Sequence, residues 1–238
     1  MKTVEVVAFG AHPDDVEIGC GGTILKLTDA GQRVAVVDLV RGELGTRGSA
    51  EIRQREAASS SEILALAGRE NLGLPDGHIR SDRESTRKVA EAIRRWRPEA
   101  VFLPYWLDRH PDHARASTLV YDGTFLAGLA RYETGQEPHR PSRLFYFMGW
   151  TEFEPTFVVD IDEQFDRKME AIYAYETQFR PEASPEPGTR LTAPTTDHRI
   201  RSRTAYYGSL VDARYGEAFL IRGRLRIADP LSLEFASF

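Results

Sequence analysis

The chain has one cysteine, Cys20, so no disulfide can form within it, which fits a reducing, cytoplasmic setting. Cys20 also has no histidine at motif spacing, and it reads as a packed residue rather than a nucleophile. No apolar run approaches the ~18 unbroken residues of a membrane span. The start, MKTVEVVAFG, lacks the basic beginning, long apolar stretch and small-residue cleavage site of a secretory signal. Positive charge is not in excess: 31 basic against 36 acidic residues give a net charge of −5. Nucleic acid and anionic membranes therefore gain no general attraction. The glycines of GCGG (19–22) form neither G-x-G-x-x-G nor a P-loop, so dinucleotide binding has little support.

What is present is an ordinary globular composition, 41% hydrophobic and 28% charged over 238 residues. That length suits one large α/β domain, 1–238, and neither a linker nor a repeat divides it. VEVVAF (4–9) and RVAVVDLV (33–40) read as buried strands. Gly21 to Ala30 reads as the helix between them, stopped by Gly31. This βαβ unit predicts an α/β fold with a mostly parallel sheet flanked by helices. Further helices are expected over 51–67, 83–96, 111–128 and 163–178, and further strands at ENLGL (70–74), AVFLP (100–104), LFYFM (144–148) and FVVDI (157–161). RPEASPEPGTRLTAPTTD (180–197) carries four prolines and reads as a mobile loop or lid.

Two similar charged turns carry the chemistry. The first strand runs into His12, Pro13, Asp14 and Asp15, and the AVFLP strand into His110, Pro111, Asp112 and His113. Either turn alone is more often a helix cap. In open parallel sheets, however, ligands bind beyond the carboxyl ends of the strands, so neighbouring strands would bring both turns together. Such a concentration of ionisable groups is costly unless a cation binds it. Two imidazoles and a carboxylate suit zinc, and ferrous iron equally, and leave a position open for water. His12, Asp15 and His113 are the expected metal ligands. Asp14 is then placed as general base beside the water. His110, as an imidazolium oriented and charged by Asp112, would stabilise an oxyanion and protonate a leaving amine.

AHPDD (11–15) together with HPDH (110–113) resembles the PIG-L (LmbE-like) family of zinc-dependent N-acetylglucosaminide deacetylases. GAHPDDVEIGCGGTI, DLVRGELGTRG, ENLGLPDG, PYWLDRHPDH and FLAGL…ETGQEPHRP are similar to its bacillithiol-pathway branch, which acts on N-acetyl-glucosaminyl-malate. The similarity covers most of residues 4–180 and resumes at RYGEAF (214–219). It implies a single Rossmann-like domain, zinc, and the same five roles for His12, Asp14, Asp15, His110 and His113, and it implies a homo-oligomer, a hexamer in related proteins. Malate carries two carboxylates, so arginines are sought. Arg53 and Arg109 are the candidates, with Arg41, Arg47 and Glu43 behind them. Some relatives place a tyrosine over the scissile carbonyl; TAPTTDHRIR has none, and His198 is nearest, with Tyr105 close to the second turn. Trp96, Trp106 and Trp150 read as core, though Trp106 is near enough to that turn to stack on a pyranose, and His78, His139 and His198 read as surface or loop. Competing readings are a deacetylase for an inositol conjugate or a chito-oligosaccharide, a Rossmann-like ligand-binding module, and a ferrous oxygenase.

Overall fold

Val6 and Ala8 face one side of strand β1 (Val6–Gly10), Val7 and Phe9 the other, and all four are buried. A strand apolar on both faces needs cover on both. The computed structural model, which describes residues 3–232, supplies it. Seven strands form one sheet in the order β3-β2-β1-β4-β5-β7-β6. The first five in that order, β3 (Gly68–Leu74), β2 (Val34–Val40), β1, β4 (Ala100–Pro104) and β5 (Arg143–Phe147), run parallel. β7 (Gly216–Leu220) runs antiparallel between β5 and β6 (Phe157–Asp160).

Helices α3 (Arg83–Trp96) and α4 (Pro111–Ala127) cover one face, where Val89, Ile93, Leu119 and Val120 meet Val7, Phe9, Val37 and Val101. On the other face α1 (Asp15–Asp29) and α5 (Phe165–Tyr173) pack Val16, Ile24, Leu25 and Ala171 against Val6, Ala8, Val36 and Phe102. Helix α2 (Ala50–Ile63) begins at Ser49, whose hydroxyl accepts from the Ile52 amide at 3.3 Å. α6 (Glu176–Phe179) and α7 (Pro194–Ser209) follow. This is the expected mostly parallel sheet with helices on both faces.

Three local expectations change. Helix α1 begins at Asp15, not Gly21, but it is broken at Cys20, whose φ and ψ are −148° and 20°. The helix expected from Gly21 is its second half. The break is sealed by buried charge: the Glu217 carboxylate accepts from the amides of Gly22 at 2.9 Å and Thr23 at 2.7 Å, and Lys168 bridges Glu217 at 2.5 Å and the Ile18 carbonyl at 3.0 Å. Second, residues 194–197 of the expected loop begin α7, and neither that helix nor β7 is among the elements expected from the sequence. Third, the helix expected over 163–178 stops at Tyr173 and resumes at Glu176.

The Lys168–Glu217 pair is buried on both sides, at 2% side-chain exposure each. Removing one partner strands the other charge, so Lys168→Met should destabilise the protein by about 3–5 kcal/mol. Chemical denaturation would read this as a lower midpoint. An unchanged midpoint would mean that the pair does not hold the broken helix together.

Candidate metal and catalytic centre

β1 and β4 are adjacent and parallel, and the chain leaves β1 toward β2 on one side while β4 lies on the other. This is the switch point of the sheet, where loops diverge and a crevice opens. The two charged turns meet there. His12, His110 and His113 have ring centroids 4.8, 5.5 and 4.7 Å apart in the pairs 12–110, 12–113 and 110–113. Asp15 joins two of them: its Oδ2 lies 3.4 Å from His12 Nδ1 and its Oδ1 3.1 Å from His113 Nε2. The His12 amide donates to the same carboxylate at 2.8 Å, which closes the turn.

Asp14, between these two residues, has φ 114°, a left-handed conformation that is strained for a side chain of its kind. Such strain persists where the surroundings enforce it, and it marks functional turns. Asp14 is buried, and burial, partly offset by the Arg53 charge, pushes its carboxyl up to about 7. Arg53 Nη1 donates to the Pro13 carbonyl at 2.8 Å and lies 3.5 Å from Asp14 Oδ2. The guanidinium expected to meet substrate is thus buried against the carboxylate expected to act as base.

Burial pulls His12 and His113 down, but their carboxylate partners outweigh it. Asp15 and Asp76 raise His12 to about 10, and Asp15 with Asp108 raises His113 to about 9. Burial would raise Asp15 as well, yet the His113 charge and the bonds from both histidines hold it well below its usual range. His110 differs. Burial and the charges of His113 and His12 lower it, and its Nδ1 accepts from the Asp112 amide at 3.3 Å, as the N-cap of α4. The neutral ring then carries its proton on Nε2.

The charge of Asp112 raises His110 in the expected direction, but burial and the neighbouring histidines outweigh it, and the two side chains do not pair. The Asp112 carboxylate turns to the Gly77 amide at 2.8 Å, to Arg115 at 3.4 Å and to His12 Nε2 at 3.8 Å. The reason is geometric: as the second residue of α4, Asp112 presents its amide to the capping ring and its side chain elsewhere.

Two further carboxylates belong to the centre. Asp76, from the Pro-Asp-Gly turn after β3, puts Oδ1 at 3.2 Å from His12 Nε2. It is held by the Leu44 amide at 2.9 Å, and its own amide donates to Glu43 at 3.1 Å. Asp108 puts Oδ1 at 3.3 Å from His113 Nδ1 and accepts from the His110 amide at 2.8 Å and the Trp150 amide at 2.6 Å. A Cβ at residue 149 would collide with Asp108, which accounts for Gly149. In the sequence Asp76 is visible only as a turn residue, and Asp108 has no signal beyond lying two residues before His110.

Among the described residues, two donor sets have one donor atom per residue within 4.8 Å of one another: His12, His110 and His113, and His12, Asp76 and Asp112. The expected trio of His12, Asp15 and His113 is linked through Asp15. Imidazoles and carboxylates in this density are the donors zinc and ferrous iron take, so the residues fit a divalent cation. The second-nitrogen bond from His113 to Asp108 is the support that metal-binding histidines typically have.

The centre opens into a cavity of about 420 Å³, which Asp14, Leu44, Arg53, Arg109, Trp150, Gln178 and Arg190 also line. Arg109 lies on its wall with the guanidinium 5.0 Å from the Trp150 ring centroid. Other candidates are elsewhere. Trp106 and Tyr105 pack on each other, Tyr146 and Phe153, so Trp150 is the indole that faces the centre. His198 is exposed beside Ser202, His139 bonds the Pro98 carbonyl, and His78 follows the Asp76 turn. Arg41 does not line this cavity, and Arg47 is buried in backbone carbonyls.

Comparison with known proteins shows the family of the chain. Residues 7–123 match the family model described as "PIG-L: GlcNAc-PI de-N-acetylase". The chain is 32% identical to the diacetylchitobiose deacetylase of Thermococcus kodakarensis, over 90% of this chain and 81% of that protein. It is 28% identical to a probable N-acetyl-α-D-glucosaminyl L-malate deacetylase of Bacillus anthracis, over 71% of this chain and 78% of that one. Among solved structures, a conserved protein from Thermus thermophilus superposes with a TM-score of 0.88 at 36% identity, covering 98% of this chain and all of that one (100%).

Proposed function

Since the chain belongs to the PIG-L family, a family of N-acetylglucosaminide deacetylases, we propose that it removes acetate from N-acetyl-glucosaminyl-malate with zinc as its cation. The observation that carries the reading is the meeting of the two His-Pro-Asp turns at one crevice with a buried carboxylate, Asp14, between them.

His12, Asp15 and His113 would hold the cation, with His110 and Asp76 within reach of the same volume. When bound, such an ion supplies Lewis acidity and lowers the pKa of water toward 7. The remaining steps belong to side chains. Asp14 accepts a proton from water as the new C–O bond forms at the acetyl carbon. A carboxylate pushed toward neutrality by burial is matched to that task. His110 donates its Nε2 proton in a hydrogen bond to the developing oxyanion, as a neutral imidazole. The C–N bond then breaks, and the proton taken by Asp14 passes to the nitrogen, giving free amine and acetate. Arg53 holds Asp14 in its strained conformation through the Pro13 carbonyl.

Arg109, beside Trp150, supports a malate rather than a neutral aglycone. The 32% identity to a diacetylchitobiose deacetylase supports a chito-oligosaccharide as the second reading. An acetate-release assay on the malate conjugate, the inositol conjugate and diacetylchitobiose decides between them. The malate conjugate should give the highest kcat/KM, and Arg109→Ala should raise its KM more than that of diacetylchitobiose. A preference for diacetylchitobiose would transfer the assignment to the second reading, and no acetate from any of the three would remove both.

A further inference from the structure

Residues 177–191 form a strap that crosses from α6 to the mouth of the cavity. Its base is fastened by Arg47, which is 2% exposed. The Arg47 guanidinium donates to four backbone carbonyls of the strap: Thr177 at 2.7 Å, Arg180 at 3.0 Å, Pro181 at 2.8 Å and Glu186 at 2.7 Å. Gln178 returns a bond to the Arg47 carbonyl at 2.8 Å, and the Glu56 carboxylate accepts from the Thr177 amide at 2.7 Å and its hydroxyl at 2.9 Å. Gly48 has φ 74°, and a Cβ there would come within 2.9 Å of Thr177 Oγ1, so the strap and the 41–49 loop fit closely. The far end is a compact turn. Thr192 bonds Thr189 in both directions at 2.9 Å, and Thr196 bonds the Arg190 carbonyl at 2.5 Å.

This construction delivers Arg190 to the wall of the cavity, where Arg109 also lies. Arg199, on α7, stacks on the same Trp150 ring as Arg109, at 5.6 Å. Among the described residues, none of these three guanidinium groups forms an ion pair or a side-chain hydrogen bond. Burial and the charges of Arg190 and Arg199 lower the Arg109 pKa, with Asp108 opposing in part. Three like charges gathered around the cavity wall and Trp150, opposed only in part by Asp108, repel one another and are relieved by an anion. Arginine forks match the paired oxygens of carboxylates and phosphates.

We propose that Arg190 is a specificity-determining residue that selects glucosaminides with an anionic aglycone, and that Arg47 is the positioning residue that holds it there through the strap. The proposal rests on the deacetylase reading above and adds to it the means of choosing the aglycone. Carboxylate and phosphate share the recognising chemistry, so both are probed.

The test measures kcat/KM for wild type, Arg190→Ala, Arg47→Lys and the double variant on N-acetyl-glucosaminyl-malate, N-acetylglucosamine 1-phosphate and diacetylchitobiose. In Arg190→Ala the ratio of anionic to neutral kcat/KM should fall about tenfold, through KM, for at least one of the two anions; which one falls identifies the anion. An unchanged ratio for both overturns the proposal while leaving the deacetylase reading standing. Lysine keeps the charge of Arg47 but cannot reach four carbonyls. Arg47→Lys should therefore shift the same ratio, and the double variant should add little to either single change, since both act through one contact. Additive effects, or loss of turnover on all three substrates alike, would reduce Arg47 to a purely structural residue. If wild type released no acetate, the deacetylase reading would fail on its own. Calorimetric Kd values for the malate conjugate and the 1-phosphate would then still decide Arg190, because equal affinities in wild type and Arg190→Ala refute its role.

Discussion

Asp14→Asn is expected to bind metal and fold as the wild type does, and to lose about 10²–10⁴-fold in kcat. The amide is nearly isosteric with the carboxylate, so the turn, its strained φ of 114° and the Pro13 carbonyl contact to Arg53 can survive the change. What the amide cannot do is take a proton from water. The effect should fall on kcat with little change in KM, because the lost interaction is made during reaction rather than on binding. Metal content by elemental analysis and single-turnover rates would check it together. Turnover near the wild-type rate with full metal would take Asp14 out of the mechanism. Loss of metal along with turnover would instead make Asp14 part of the ion's cage.

The second large effect concerns the ion itself. Exhaustive chelation should abolish acetate release, and adding back zinc or ferrous iron should restore it, the better restorer being the better match to the site. His113→Ala should lower both metal content and activity to background, since it removes a buried imidazole that touches Asp15 at 3.1 Å. Asp108→Ala should do less, about 10–100-fold in metal affinity, because Asp108 acts through the other nitrogen of His113. The order of these two losses separates ligand from support. Equal losses would place Asp108 among the ligands, and an unaltered rate after complete removal of metal would end the metallohydrolase reading.

Much of the centre is legible without coordinates because its parts are local. His12 and Asp15 are three residues apart on one turn, and a turn of that length can aim both side chains into one volume. The same holds for His110 and His113 at the start of α4. The apolar runs before each turn mark strands, and the βαβ pattern predicts that the strand ends lie on one edge. The elements absent from the sequence reading have a common cause. α7 carries mixed polar and charged residues with no clear apolar stripe, and its helical state comes from packing Ile200 and Tyr207 against helices, a strand and loops distant in the chain. β7 is short and contains a glycine and a glutamate, and that glutamate has its partners at Gly22, Thr23 and Lys168.

Arg47 and Arg53 show the limit most plainly. Arg53 reads as a substrate arginine and Arg47 as a weaker candidate; both are buried, Arg47 against four carbonyls of the strap and Arg53 against Pro13 and Asp14, where it still lines the cavity. A guanidinium has the same composition whether it meets substrate or backbone. For Arg47 the path of chain 177–191 settles which, and for Arg53 the turn at Pro13 and Asp14.

The sequence by itself determined the chemistry: which residues can hold a cation, which can take a proton, and which turns carry them, since each depends on side-chain type and on spacing of a few residues. The tertiary structure alone decided the surroundings. It brought Asp76 and Asp108 to the histidines, turned Asp112 away from His110, and placed Arg190 beside Arg109, because contacts between residues far apart in the chain follow from how the whole sheet and its helices pack.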